Sequence, residues 1–249
     1  MLTLTKLEKS FSTGSGYVHK ALDGLSLNVE KGDFITIVGS NGAGKSTLFN
    51  AICGDFFVDR GRIALEGKDI TYLPAHKRSR IIGRLFQDPL RGSAPNMTIE
   101  ENLALAYTSG RIGPLRFPLT KKNRDLFREH LARFGMGLED RVNVKVGTLS
   151  GGNQQKIVVA RELDRGCRML IAAQPTRGVD IASADYIQSR ILTAAEQGCA
   201  VLLISSDLDE LIKVSDRIMV LFRGQIMGFV DADNATREAL GRMMLGEAH

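Results

Sequence analysis

The nine residues GSNGAGKST at 39–47 come straight after the apolar run FITIV at 34–38 and lead into LFNAIC, which reads as a helix. No other feature narrows the fold as much. The spacing G-x-x-x-x-G-K-[ST] acts as a phosphate loop only where a buried strand ends and a helix begins, and both neighbours are present. A short, largely apolar strand belongs to a sheet covered on both faces, which points to an α/β architecture. In such a loop the glycines let the backbone come close, and the N–H groups of Gly42, Ala43, Gly44, Lys45 and Ser46 can wrap a phosphate. The Lys45 ammonium can bridge the β and γ oxygens of a triphosphate, the Ser46 hydroxyl can ligate Mg²⁺, and the helix start adds positive potential. Gly39, Asn41 and Thr47 complete the candidate set.

With 249 residues the chain has room for one large domain, or a core carrying an inserted subdomain. Its 33 basic and 28 acidic residues leave a net charge of +5, which admits nucleic acid, an anionic membrane face or a phosphorylated ligand. The basic runs HKRSR at 76–80 and KKNR at 121–124 have no interleaved aromatics to stack bases and read as solvated helix faces. Three cysteines, Cys53, Cys167 and Cys199, lie far apart without metal-ligand spacing. No apolar run approaches the ~18–20 residues that span a bilayer. The N-terminus has no basic-then-apolar leader, and a cytosolic location is expected.

Alternation in LTLTKLE and ALDGLSLNV predicts antiparallel strands, and GRIALEGKDI predicts a hairpin turning at Glu66 and Gly67. IIGRLFQ reads as a strand ending at Gln87. The pattern from 88 to 148 turns helical, with a capping-box spacing from Thr98 to Glu101 and a second helix at about 121–135 beyond the Gly/Pro-bearing stretch TSGRIGPLRFPLT. After Ser150 strands and helices alternate: helix 151–164, strand 168–173, helix 181–196 closed by Gly198, strand 200–205, a helix from Asp207, strand 216–222, then a hairpin and a short C-terminal helix. That rhythm predicts a parallel sheet.

TLSGGNQQK at 148–156 carries a second anion-site pattern. Ser150 can cap the following helix while Gly151 and Gly152 leave its first amides bare; taken alone, such a stretch is more often an ordinary capped helix.

Together these motifs resemble the nucleotide-binding domain of ABC transporters, over nearly the whole chain. LSGGN resembles that family's signature, Gln87 in LFQDP its Q-loop glutamine, and Asp180 in TRGVD its D-loop aspartate. The resemblance implies a P-loop NTPase of the ABC-ATPase fold. That fold has a mostly parallel core sheet with an antiparallel β subdomain (1–87 and 149–249) and an inserted helical subdomain (88–148), forming one domain over 1–249. It also implies ATP and Mg²⁺, the latter held by Ser46 and Gln87, and an aromatic residue on adenine, Phe11 or, less well matched, Tyr17. The implied partners are a second ATPase domain placed head to tail, a membrane permease and a substrate-binding protein. The implied location is the cytoplasmic face of the inner membrane, and no nucleic acid is expected. With no exporter-type loop before the signature, an importer is expected.

The chain departs from the family at three places. In LIAAQPT the family's metal-holding Asp is matched by Ala173 and its catalytic Glu by Gln174, and in LISSDLDEL the switch His is matched by Ser206. An amide can orient a water but cannot take its proton, and losing a positioned base lowers rate about 10²–10⁴-fold. The resemblance implies ATP binding with weak hydrolysis. The alternatives are a non-hydrolysing regulatory or structural module and a nucleic-acid-associated ABC protein. Residues 1–147 resemble single-domain ABC ATPases and 148–249 the C-terminal half of tandem nucleoside or sugar importer ATPases, which raises the expectation of a hybrid joined near the signature.

Overall fold

The computed structural model describes residues 1–12, 18–108, 125, 127–129, 131–132, 135–164, 166–205 and 208–247. They form two compact units: one of 1–82, 168–174 and 195–249, the other of 83–167 and 175–194.

The first unit contains an antiparallel sheet and a mostly parallel one. The antiparallel sheet has the order β2-β1-β4-β5, with β1 at Leu2–Ser12, β2 at Val18–Val29, β4 at Arg60–Leu65 and β5 at Lys68–Asp69. Leu2, Leu4 and Leu7 of β1 face the core while Thr3 and Thr5 face out, and the alternation slips at Lys6, which takes a φ of 46°. The β4–β5 hairpin turns at Glu66 and Gly67, both left-handed with φ of 51° and 76°, the geometry that suits the right-handed twist of a two-residue connection. In the other sheet β3 (Phe34–Val38) lies between β8 (Ala200–Ile204) and β9 (Arg217–Phe222), parallel to both. β7 (Met169–Ala173) pairs outside β8, also parallel, and β10 (Gln225–Asp231) pairs antiparallel outside β9. All five residues of β3 and all five of β8 are buried, as expected for strands covered on both faces. The core joins the leucines of β1 and β2 with Ile35 and Ile37 of β3 and Leu48 and Ile52 of the helix Lys45–Cys53. A smaller cluster packs Leu211, Leu240 and Met243 of two later helices on Val38 and Val220.

The strand β6 (Ile82–Leu85) leads into the second unit and ends two residues before Gln87. Asp88 caps the short helix Pro89–Gly92 by accepting from the Leu90 N–H at 3.0 Å. The expected capping box is present at the start of helix Ile99–Thr108. The Thr98 N–H donates to Glu101 Oε2 at 2.6 Å, and the Glu101 N–H donates to Thr98 Oγ1 at 3.2 Å. Buried Asn102 ties this helix to the loop before it, accepting from the Ala94 N–H and donating to the Ala94 and Thr98 carbonyls. The helices Gly151–Asp164 and Ile181–Glu196 follow the bounds read from the sequence. Ile99, Leu103, Phe127, Leu131, Val146 and Ile157 are among the residues of this unit's core. Of the helix expected at 121–135, residues 121–124, 126, 130, 133 and 134 lie outside the described residues, as do 109–120.

Candidate nucleotide-binding site

The loop at 39–47 leaves the C-terminal end of β3, which runs between the parallel strands β8 and β9, where open α/β sheets bind their ligands. Two glycines are fixed by close neighbours. A Cβ on Gly39 would run into the Leu221 carbonyl, and one on Gly44 would stand 2.5 Å from the Ala21 carbonyl; both take positive φ, 157° and 107°. Gly42 also takes positive φ, 80°, but faces open space. The loop is pinned from behind by the β9–β10 turn, whose Gly224 N–H donates to the Ala43 carbonyl at 2.9 Å. The helix Lys45–Cys53 starts without a side-chain cap. Its first amides are therefore left for another partner.

Lys45 folds over this loop. Its Nζ donates to the Gly39 carbonyl at 2.6 Å and the Ser40 carbonyl at 2.9 Å. Burial holds its pKa below the ordinary lysine value, and no carboxylate among the described residues offsets that. A half-buried ammonium with neutral acceptors only, beside uncapped amides, is a site short of negative charge. A phosphate group fits it, and the Ser46 side chain is exposed beside it.

Phe11 lies near the end of β1 and is 40% exposed. Phe56 meets it edge to face with centroids 5.4 Å apart, and Lys9 Nζ stands 5.6 Å from the Phe11 ring and 5.4 Å from the Phe56 ring. Asp59 fixes Lys9 at 2.7 Å, and that hydrogen bond lowers the Asp59 pKa. A polarised aromatic face is what a purine stacks on. The sequence offered Phe11 but no sign of Lys9, Phe56 or Asp59, because their meeting depends on the pairing of separate segments. Tyr17 lies outside the described residues.

At the end of β7, Ala173 packs against the core, and Gln174 turns into the left-handed region with φ 46°, its N–H donating to the Ile204 carbonyl at 2.7 Å. Neither position carries a carboxylate, and among the described residues no group of three His, Cys, Asp or Glu could hold a metal. Ser206 lies outside the described residues.

The remaining candidates belong to the second unit. Gln87 is exposed between β6 and the helix Pro89–Gly92. Ser150 precedes the helix Gly151–Asp164, and its Oγ accepts from the Asn153 N–H at a long 3.5 Å. Gly151 faces open space. Gly152 does not: a Cβ there would lie 2.5 Å from Ser183 Oγ and 2.8 Å from Asp180 Oδ2. Asp180 caps the helix Ile181–Glu196, accepting from the Ser183 N–H at 2.9 Å and the Ser183 hydroxyl at 2.8 Å, and these two bonds hold its carboxyl below the usual range.

One expectation fails outright. His76, Lys77, Ser79 and Arg80 are exposed, but Arg78, in the middle of the run read as a solvated face, is wholly buried. Its guanidinium donates to the Leu73, Ala51, Ile52 and Thr71 carbonyls at 2.6–2.9 Å. Two of these carbonyls end the helix that begins at Lys45, so Arg78 both satisfies them and sets a cation against the negative end of that helix.

Comparison with known proteins identifies a family. Residues 22–177 match the family described as ABC transporter. The chain is 40% identical over 227 residues to the nucleoside import ATP-binding protein NupA of Lactococcus lactis subsp. cremoris, covering 90% of this chain and 44% of that protein. It is 33% identical over 242 residues to a tyrosine transport ATP-binding protein of Clostridioides difficile, covering 96% and 95%. The chain thus spans less than half the length of the first relative. Both alignments run across residue 148, so a single relative spans the place where a hybrid would be joined, and no junction is required there. Among solved structures, a nucleotide-free ATP-binding cassette from an ABC transporter superposes with a TM-score of 0.78 at 30% identity, covering 99% of this chain and 95% of that one. A dimeric cassette bound to ADP and Pi gives 0.79 at 25% identity, covering 93% and 99%.

Proposed function

The chain belongs to the ABC transporter family, and from that membership we propose that it is the ATP-binding motor subunit of an importer, binding the triphosphate at 39–47 and hydrolysing it weakly by itself. The observation that carries this reading is Lys45: a half-buried cation with only carbonyl partners, set among uncapped helix amides, while Ala173 and Gln174 leave no acid at the end of β7. In this reading the loop amides and Lys45 grip the phosphates, and Phe11 carries the adenine against Lys9 and Phe56. Asn41 and Thr47 line the loop, and Gln174 orients a water without taking its proton. Ser46 would contribute an oxygen ligand to Mg²⁺, which when bound would screen the charge on the phosphates.

Ser150, Gly151, Gly152 and Asp180 serve a second ATPase domain, whose triphosphate they contact in a head-to-tail dimer. The helical stretch 88–148 together with Gln87 receives a permease helix, which holds the chain at the cytoplasmic face of a membrane; a substrate-binding protein delivers the cargo. Among the described residues no helix is long and apolar enough to cross a membrane. The pair Ala173 and Gln174 also favours a second reading, in which ATP serves as lasting glue between two domains. Titration with a fluorescent ATP analogue, followed by turnover on the same protein, tests both. Tight binding with slow turnover supports the proposal; no binding overturns it. A dimer that persists for hours after ATP addition favours the second reading.

A further inference from the structure

The helix Gly151–Asp164 meets the segment bearing Gln87 along one side, through three residues spaced three apart, the i±3 ridge of a helix. Gln155, buried, donates from Nε2 to the Phe86 carbonyl at 3.3 Å. Val158, buried, packs on Gly92, where an added Cβ would stand 3.0 Å from its Cγ1. Arg161 donates from Nη2 to the Gly92 carbonyl at 2.5 Å, and its guanidinium is braced by Glu162 at 2.8 Å. Phe86 is steadied further by Arg84 and Arg91, whose guanidinium carbons lie 4.3 and 5.2 Å from its ring centroid. The segment is therefore fixed at Phe86 and again at Gly92, and exposed Gln87 lies between the two attachments. The Gln155 amide is only half used. Its Oε1 is buried without a hydrogen-bond partner among the described residues, an arrangement that folded proteins seldom retain without a reason.

We propose that Gln155 and Arg161 are positioning residues that strap the Gln87 loop to the helix carrying Ser150, Gly151 and Gly152, so that a push on Gln87 is delivered at 150–152. The inference rests on the proposed roles of Gln87 and the signature residues, and it adds the physical link between them. Two groups on one ridge give the strap its stiffness: a neutral amide near the start of the helix and a braced guanidinium about a turn and a half further on. Small displacements travel through such packed contacts because neither partner can yield alone.

Amide hydrogen exchange of the full chain, with and without ATP, tests it by following peptides over 84–92 and 148–156. In the native protein ATP changes exchange in both segments together. Gln155→Met keeps side-chain length and apolar volume but removes the amide; Arg161→Met keeps an apolar stem at the other attachment and removes the guanidinium. For each variant the expected result is ATP affinity within about threefold of native, since neither residue belongs to the phosphate loop. The ATP-induced change at 148–156 falls at least fivefold relative to that at 84–92. Val158→Ala, which loosens packing alone, leaves the two changes paired. A merely destabilised protein exchanges faster everywhere, with or without nucleotide, and does not uncouple two segments. Paired changes persisting in both Met variants overturn the strap. Absence of ATP binding in the native chain counts against the nucleotide reading instead. The strap is then decided without ATP: Gln155→Met must speed exchange at both 84–92 and 148–156 while 39–47 stays unchanged, and exchange left at the native rate in either segment overturns it.

Discussion

Gly152 in the signature stretch and Asp180 at the head of the next helix occupy one another's space: a single added methyl on Gly152 would come within 2.8 Å of the Asp180 carboxylate and 2.5 Å of the Ser183 hydroxyl. The glycine here is required by a neighbour 28 residues along the chain, not by backbone freedom.

Gly152→Ala therefore forces Asp180 and Ser183 apart. Overpacking of a buried contact lowers stability by about 1–3 kcal/mol. Thermal unfolding measures that loss, and a fall in ATP-dependent dimerisation larger than the stability change accounts for would show that the displaced cap also matters to the partner.

Replacing Ala173 and Gln174 together by Asp and Glu restores an acid at the end of β7. If the missing base limits hydrolysis, steady-state turnover rises by about 10²–10⁴-fold, with little change in ATP affinity. Phosphate release under saturating ATP reads the outcome, and an unchanged rate would place the defect elsewhere.

The pKa of Lys45 is depressed by burial from its ordinary 10.5, and a bound phosphate would raise it again. Binding thus takes up a proton wherever free Lys45 has lost one. ATP affinity should fall as pH climbs through the depressed value, which lies below 10.5. The same shift makes the free protein gain stability from this group as pH rises through that window, because the unfolded chain binds the extra proton. Lys45→Met should lower affinity and abolish the pH dependence.

Arg78→Leu removes the guanidinium from the carbonyls of Ala51, Ile52, Thr71 and Leu73, of which Ala51 keeps a bond of 3.3 Å from the Gly54 N–H. Each buried group left unsatisfied contributes to a loss of about 3 kcal/mol or more in all. Arg78→Lys recovers only part of it, since one ammonium cannot span the fork. Denaturant unfolding with both variants reads the difference.

Asp180→Ala removes the cap of helix Ile181–Glu196, and the melting temperature falls. Because the folded carboxyl titrates below its usual value, its contribution is present above the ordinary carboxylate range and fades as pH drops through the lowered pKa. The native protein and the variant lacking this carboxylate should accordingly converge in stability at acid pH.

The chain's own pattern determined a good deal. An apolar run followed by glycines, Lys45 and Ser46 has one economical structure, a buried strand ending in a bare helix start. Thr98 with Glu101 announces a capping box, and Glu66 with Gly67 a hairpin turn, because each rests on residues a few positions apart. The helix bounds at 151–164 and 181–196 follow from the same local chemistry of caps and glycines. What tertiary structure alone decided lies in contacts made over long separations. Nothing in HKRSR marks which guanidinium is drawn inside: Arg78 is buried where it donates to the last carbonyls of a helix 26 and 27 residues earlier. Gln155 reads as one more polar helix residue until Phe86, 69 positions earlier, is laid beside it. Spacing along the sequence records the partners a residue meets within a turn or a cap; the partners that compete for a buried donor or a methyl's worth of room are chosen only when the chain closes on itself.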